Sequence, residues 1–90
     1  MIFDYKNITT QATTVVKIGE GKLHAIALNE PTATTTIAIY DGVDTDGTLI
    51  GTVTIPADPQ PSTIIFDVAF STGLTIVTGT ADSDITVSYN

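Results

Sequence analysis

The stretch that decides the fold is Ile64-Ile65-Phe66-Asp67-Val68-Ala69-Phe70-Ser71-Thr72-Gly73-Leu74-Thr75-Ile76-Val77-Thr78-Gly79. Its first half has the two-residue period of a strand that buries one face. A Ser-Thr-Gly turn follows, and a second run of β-branched residues comes directly after it. The stretch therefore predicts two adjacent strands. The residues expected on the buried face of the first strand are Ile64, Phe66, Val68 and Phe70.

The same residue types recur in short runs on both sides of this stretch, separated by Gly and Pro. No window shows an apolar i, i+3, i+4 pattern, so helix is not predicted. Pro56, Pro59 and Pro61 exclude a central strand between them, because each removes a backbone donor. The predicted strands cover residues 3–9, 13–18, 22–29, 34–41, 48–55, 62–70, 74–78 and 84–89.

Eight short strands without a helix predict one all-β domain over residues 1–90, a single antiparallel β-sandwich. Jelly-roll and immunoglobulin-like strand orders both satisfy the alternation, so the choice between them stays open. Alternation in the other strands extends the predicted core. It places His24 on the face of Ile26 and Leu28, and it adds Leu49, Val53 and Ile55 of the fifth strand and Ile85, Val87 and Tyr89 of the last.

The charge balance excludes several classes of function. Ten acids stand against three lysines and no arginine, which gives a formal net charge of −7. Nucleic-acid binding needs cations that neutralise phosphates, and docking on anionic membranes needs basic clusters, so neither is expected. The chain has no cysteine, which excludes disulfides and thiolate metal sites. No run approaches the roughly 18 apolar residues that span a bilayer.

One loop, residues 41–47, is a candidate cation site because Asp41, Asp44 and Asp46 offer the hard oxygen ligands that calcium prefers. The calcium-loop template fails, however, since Gly42 and Val53 stand where acids are required. Asp and Gly are also the default turn residues, and we favour a turn. Whether the three aspartates bind a cation stays open at this point.

No catalytic constellation is visible. His24 is the only histidine, and no Gly-x-Ser-x-Gly elbow or neighbouring nucleophile accompanies it, so we expect a half-buried structural or interface histidine. Asp67, inside an apolar strand, is expected to face outward or to discourage edge pairing. The sequence therefore predicts no enzyme and no catalytic, cofactor or metal residue. Tyr5, Tyr40 and Tyr89 are either a sugar-stacking platform or, as we favour, caps at the strand ends.

Several phrases in order along the chain resemble small Thr-rich β-sandwich virion proteins of tailed bacteriophages, of the head decoration (cement) or head-fibre type. They are Asn7-Ile8-Thr9-Thr10, Val15-Val16-Lys17, Gly19-x-Gly21-x-Leu23-His24-Ala25-Ile26, Ile37-Ala38-Ile39-Tyr40-Asp41, Gly47-Thr48-Leu49-Ile50 and the C-terminal DVAF-x-x-GLTIVT…DITV-x-Y pattern.

The resemblance implies a non-enzymatic structural protein, most simply a capsid decoration protein made in the bacterial host cytoplasm and carried on the outer surface of the virion. Its implied partners are the major capsid protein or another shell protein, and further copies of itself, with a homotrimer as the first expectation. Residues 1–10 are a candidate N-terminal arm that reaches onto a neighbour. The alternative is a receptor- or carbohydrate-binding module of a fibre or tail that uses loops 41–47 and 56–61.

Overall fold

The computed structural model describes residues 3–32, 34–58, 60–79 and 82–90, and in that part of the chain every regular element is a strand. The predicted strand limits agree with the observed ones to within two residues at each end. The described residues contain no helix that could span a membrane. The strands are β1 (Asp4–Ile8), β2 (Ala12–Ile18), β3 (Gly21–Glu30), β4 (Thr36–Asp41), β5 (Thr48–Thr54), β6 (Ser62–Phe70), β7 (Gly73–Thr78) and β8 (Asp84–Tyr89).

Two four-stranded sheets contain these strands. Sheet I has the order β1-β8-β3-β6 and sheet II the order β2-β7-β4-β5, and every neighbouring pair is antiparallel. The chain passes between the sheets at every connection except the β4–β5 loop. The predicted all-β antiparallel sandwich is confirmed. This interleaved order is that of a jelly roll, which decides between the two strand orders that the sequence left open.

One core fills the space between the inner faces of the two sheets. The predicted faces of β6 and β8 point into it, and Ile85 and Val87 are fully buried. The edge strands β5 and β6 of the two sheets approach each other at Gly51. A Cβ atom added to Gly51 would lie 3.6 Å from the Phe66 ring on β6. The fully buried apolar side chains are Leu23, Ile26, Ile37, Ile39, Ile55, Leu74, Ile76, Ile85 and Val87.

A β-bulge in β5 overturns one predicted core position. Ile39 pairs with Gly51 and Tyr40 pairs with Leu49, so Ile50 is an extra residue in the ladder. Ile50 packs against the core, and Leu49 moves to the outer face, where it is 54% exposed. Placing Leu49 in the core was therefore wrong, because one inserted residue reverses the alternation.

A second bulge, in β3, reverses the predicted position of His24. Leu23 pairs with Tyr89 and Ala25 with Ser88, which leaves His24 as the extra residue. Leu23, Ile26 and Leu28 are buried in the core, whereas His24 is half-buried on the outside of sheet I. The prediction that His24 shares a face with Ile26 and Leu28 was wrong for the same physical reason.

The segment considered as an N-terminal arm is largely a sheet strand. β1 pairs with β8 along its whole length, from Asp4 opposite Tyr89 to Ile8 opposite Ile85, and Ile8 is buried. An arm formed by residues 1–10 would have to give up this pairing. Met1 and Ile2, which the arm hypothesis also invoked, lie outside the described residues.

Candidate functional site

The outer face of sheet II is an uncharged surface. Strand pairing aligns its side chains in two rows across all four strands, and no carboxylate or ammonium group stands in either row. In a net −7 chain, a broad face without charge is an unusual region. The rows are Val15–Thr75–Tyr40–Leu49 and Thr13–Val77–Ala38–Thr52.

Bulges enrich this face in exposed apolar side chains. The β5 bulge turns Leu49 outward, as described above. A third bulge makes Val16 the extra residue of β2, so that Val15 and Ile18 lie on the same outer face although they are three positions apart. Ile18 is 78% exposed and Val15 is 43% exposed.

The β4–β5 loop adds one more apolar group. Val43 is 42% exposed, and its Cγ1 atom lies 3.1 Å from where a Cβ atom on Gly73 would be, beside Ile18 in the ladder. Thr75 at the centre of the face is fully buried, and its hydroxyl donates to the Gly42 carbonyl oxygen at 2.8 Å. Thr75, at the centre of the face, is therefore closed to water, and its hydroxyl has a hydrogen-bond partner within the chain. We call Val15, Ile18, Val43 and Leu49, with half-buried Tyr40 between them, the sheet II patch.

The outer face of sheet I has a different chemistry. His24 Nδ1 lies 2.6 Å from Asp67 Oδ1, and the Phe3 ring stacks on the imidazole with centroids 4.3 Å apart and planes 7° from parallel. Asp67 has φ 49°, a left-handed conformation that is rare for a residue other than glycine. The two residues of β6 opposite the His24 bulge are Phe66 and Asp67, so the pair of bulges creates this contact.

Further along sheet I, polar side chains bond to one another. The amides of Asn7 and Asn29 both donate to Asp84 Oδ1, at 2.7 and 3.2 Å, and to the Thr86 hydroxyl. Exposed apolar side chains stand only at the two edge strands of this face in the described structure: Tyr5 is 74% exposed and Ile65 is 58% exposed. A partner on this face would have to cover charged groups.

The three loop aspartates are not brought together as a cation site. Asp41 accepts hydrogen bonds from the backbone N–H groups of Ser71 and Thr72 at 2.9–3.1 Å and from the Ser71 hydroxyl at 3.2 Å. These bonds, that of the Ser71 N–H first, lower the pKa of Asp41 below its usual value. Asp44 Oδ1 instead accepts from the Asp46 N–H at 2.9 Å, as in an Asx turn.

No metal centre emerges from the described side chains, among which no group of three or more His, Cys, Asp or Glu could hold a metal ion. A shallow pocket of about 320 Å³ lies at the end of the sandwich opposite Asp41. Two of its three acidic groups accept hydrogen bonds within the chain: Asp82 accepts from the Gln11 N–H and Asp84 accepts from two amides. The pocket is lined by Thr9, Glu30, Pro31, Thr32, Asp82, Ser83 and Asp84.

The groups considered for carbohydrate binding are separated by the fold. Tyr5 is on the outer face of sheet I, Tyr40 is on that of sheet II, and Tyr89 packs against the core. The loops 41–47 and 56–61 lie at opposite ends of β5, whose seven residues span about 20 Å, and Pro59 of the second loop lies outside the described residues. Neither set forms one binding surface.

Sequence reasoning missed both the sheet II patch and the His24–Asp67 contact. The patch depends on two bulges, and the contact joins residues 43 positions apart on paired strands. A sequence signal for part of the patch did exist, because Ile18 and Val43 each lie next to a glycine and outside a clean alternation.

Comparisons with known proteins find a similar fold but assign the chain to no family. No family model matches the chain, and no curated protein matches it. Among solved structures, the fold is similar to that of a chain from Bacillus endospore appendages, which form disulfide-linked pili. The TM-score is 0.51 at 16% identity, over 99% of this chain and 87% of that one. At this identity the similarity shows the fold alone.

Proposed function

We propose that this chain is a non-enzymatic structural subunit that associates with copies of itself in a repeating surface assembly. The observation that carries the proposal is the sheet II patch: four exposed apolar side chains around an uncharged, satisfied centre. Large exposed apolar patches on a soluble fold mark interaction sites. An acidic chain also has few other surfaces on which two copies can meet without opposing carboxylates.

Two kinds of assembly fit this role. The sequence resemblance favours the outer surface of a tailed-phage particle, where the chain would act as a decoration protein, as a homotrimer, on the major capsid protein or another shell protein. The fold shared with a chain from Bacillus pili supports a fibre-like assembly as the second form. Because this chain has no cysteine, its own assembly would be held by non-covalent contacts and not by disulfides.

The separation of the tyrosines and of the two loops weighs against the carbohydrate- or receptor-binding module. Stacking of a sugar ring needs aromatic faces that share one surface, and here they lie on two opposite faces and in the core. We therefore favour the structural subunit over the binding module as the function of this chain.

Sedimentation velocity tests the proposal on the purified wild-type chain between about 10 μM and 1 mM, followed by electron microscopy of the concentrated sample. We expect reversible association, with closed oligomers if the chain decorates a shell and filaments if it builds a fibre. A chain that stays monomeric throughout and binds soluble oligosaccharides saturably would overturn the structural role in favour of the binding module.

A further inference from the structure

The two broad faces of the sandwich differ in what a second copy would meet. The Cα atoms extend over 34 × 30 × 18 Å, so the molecule is a slab with two wide faces. A stable interface needs about 800 Å² of surface from each partner, and a face of these dimensions can supply it. The choice between the faces then depends on their chemistry.

Sheet I is a poor surface for self-contact. Covering it would bury Asp67 with its His24 partner and Asp84 with its two amide donors, and each carboxylate that loses water must be compensated. A second copy brings the same carboxylates, because its net charge is also −7. Contact of one sheet I face with another would therefore bury Asp67 and Asp84 from both copies together with Lys22, which lies opposite Ala69 on this face, and all of these charged groups would lose water.

Sheet II presents the reverse case. Its two rows hold no carboxylate, while Glu20, Asp44 and Asp46 are exposed in the turns beside the face. An apolar centre with a charged rim is the usual anatomy of a protein interface. The buried Thr75 hydroxyl at the centre needs no partner from a second copy, since it already donates to the Gly42 carbonyl oxygen.

We propose that two copies associate through their sheet II patches, face to face about a two-fold axis. Contact of like faces follows from the charges: pairing sheet II with sheet I would press apolar side chains against carboxylates, whereas pairing it with itself brings together two faces whose rows hold no carboxylate. Such a contact is isologous, so each patch residue acts twice in the interface. This inference rests on the proposed function, and it makes a two-fold dimer the first unit of the assembly in place of the homotrimer that the sequence resemblance implies, because an isologous contact closes on two copies.

The chain offers a closely matched pair of variants for the test. Leu49 on β5 and Ile65 on β6 are both on edge strands and are 54% and 58% exposed, but they lie on opposite faces. Leu49→Asp places a carboxylate in the proposed interface twice, and Ile65→Asp adds the same charge outside it. Sedimentation equilibrium on wild type and both variants gives the three dimer dissociation constants.

We expect Leu49→Asp to raise the dimer dissociation constant by more than about 100-fold and Ile65→Asp to change it by less than about threefold. If Ile65→Asp weakens association and Leu49→Asp does not, the inference is wrong while the structural role stands. If the wild type shows no association at about 1 mM, the inference is wrong, and saturable oligosaccharide binding by that monomer would overturn the structural role as well.

Engineered cysteines give a second measurement, since the chain has none of its own. Ala38 and Ala27 are half-buried alanines in inner strands of sheets II and I, each on the outer face. Under mild oxidation at concentrations where the wild type is dimeric, Ala38→Cys should form a disulfide-linked dimer much faster than Ala27→Cys. The opposite ranking would overturn the inference.

Discussion

The two sheets supply the same kind of inner face and two different outer faces. Inside, both contribute fully buried branched side chains to one core. Outside, sheet I joins its polar groups to one another, through His24–Asp67 and the Asn7–Asp84–Asn29 bonds, while sheet II leaves apolar side chains in solvent. The hydrophobic core that drives folding is built from the inner faces. The outer apolar groups of sheet II contribute nothing to the fold's own core, which is why they point to association.

The largest effect we expect comes from breaking the shared core from either side. Ile26 on sheet I and Ile76 on sheet II are both fully buried. Replacing either by alanine removes apolar contacts and leaves a cavity, so Ile26→Ala and Ile76→Ala should each lower the free energy of unfolding by about 2–5 kcal/mol. Urea unfolding at low micromolar concentration, where association is weak, measures both.

Leu49→Ala is the control for this pair. Leu49 is an equally large apolar residue on the outer face, and its truncation should change the unfolding free energy of the monomer by less than about 0.5 kcal/mol. A loss near that of the core variants would mean that the outer face of sheet II supports the monomer's own fold, which would remove the contrast between inner and outer faces.

The sequence predicted the inner faces far better than the outer ones. Strand limits follow from alternation and from Gly and Pro punctuation, and those signals are local. Strand order is not local, because β1 pairs with β8 at the far end of the chain. The predicted faces of Leu49 and His24 were wrong because each residue lies at a bulge, where one extra residue moves the neighbouring side chains to the opposite face of the sheet. The sheet II patch was missed for the same reason.

A smaller effect is expected at the strained residue of sheet I. Asp67 has φ 49°, which aspartate, asparagine and glycine tolerate and β-branched residues do not. Asp67→Val should therefore lower the free energy of unfolding by about 1–2 kcal/mol, while Asp67→Asn should cost less because it keeps the backbone preference and an oxygen near His24.

Ala69→Val serves as the control, since Ala69 faces outward on the same strand two positions further on and its φ is negative. Urea unfolding of the three variants measures these changes in the free energy of unfolding. Equal values for Asp67→Val and Ala69→Val would indicate that the backbone at position 67 is not strained, and sheet I would then differ from sheet II in its side chains alone.

The smallest effect on stability that we expect depends on pH and concerns a contact between the two sheets. Asp41, at the end of β4 in sheet II, accepts backbone hydrogen bonds from the turn that connects β6 of sheet I to β7 of sheet II. Those bonds lower its pKa in the folded protein, so the ionised carboxylate stabilises the fold fully above the unfolded pKa of about 3.9. The stabilisation is lost as the pH falls through the lower pKa of the folded state.

Asp41→Asn keeps one acceptor oxygen and loses the charge, so it should be less stable than wild type at pH 7, by less than the core variants because this carboxylate is open to water. The difference should shrink as the pH falls below about 4 and vanish once wild-type Asp41 is protonated. Urea unfolding of both proteins from pH 7 to pH 2 measures this, with Asp46→Asn, outside these contacts, as the charge-matched control. A pH-independent difference in unfolding free energy would mean that the hydrogen-bond geometry, and not the charge of Asp41, stabilises the contact between β4 and the β6–β7 turn.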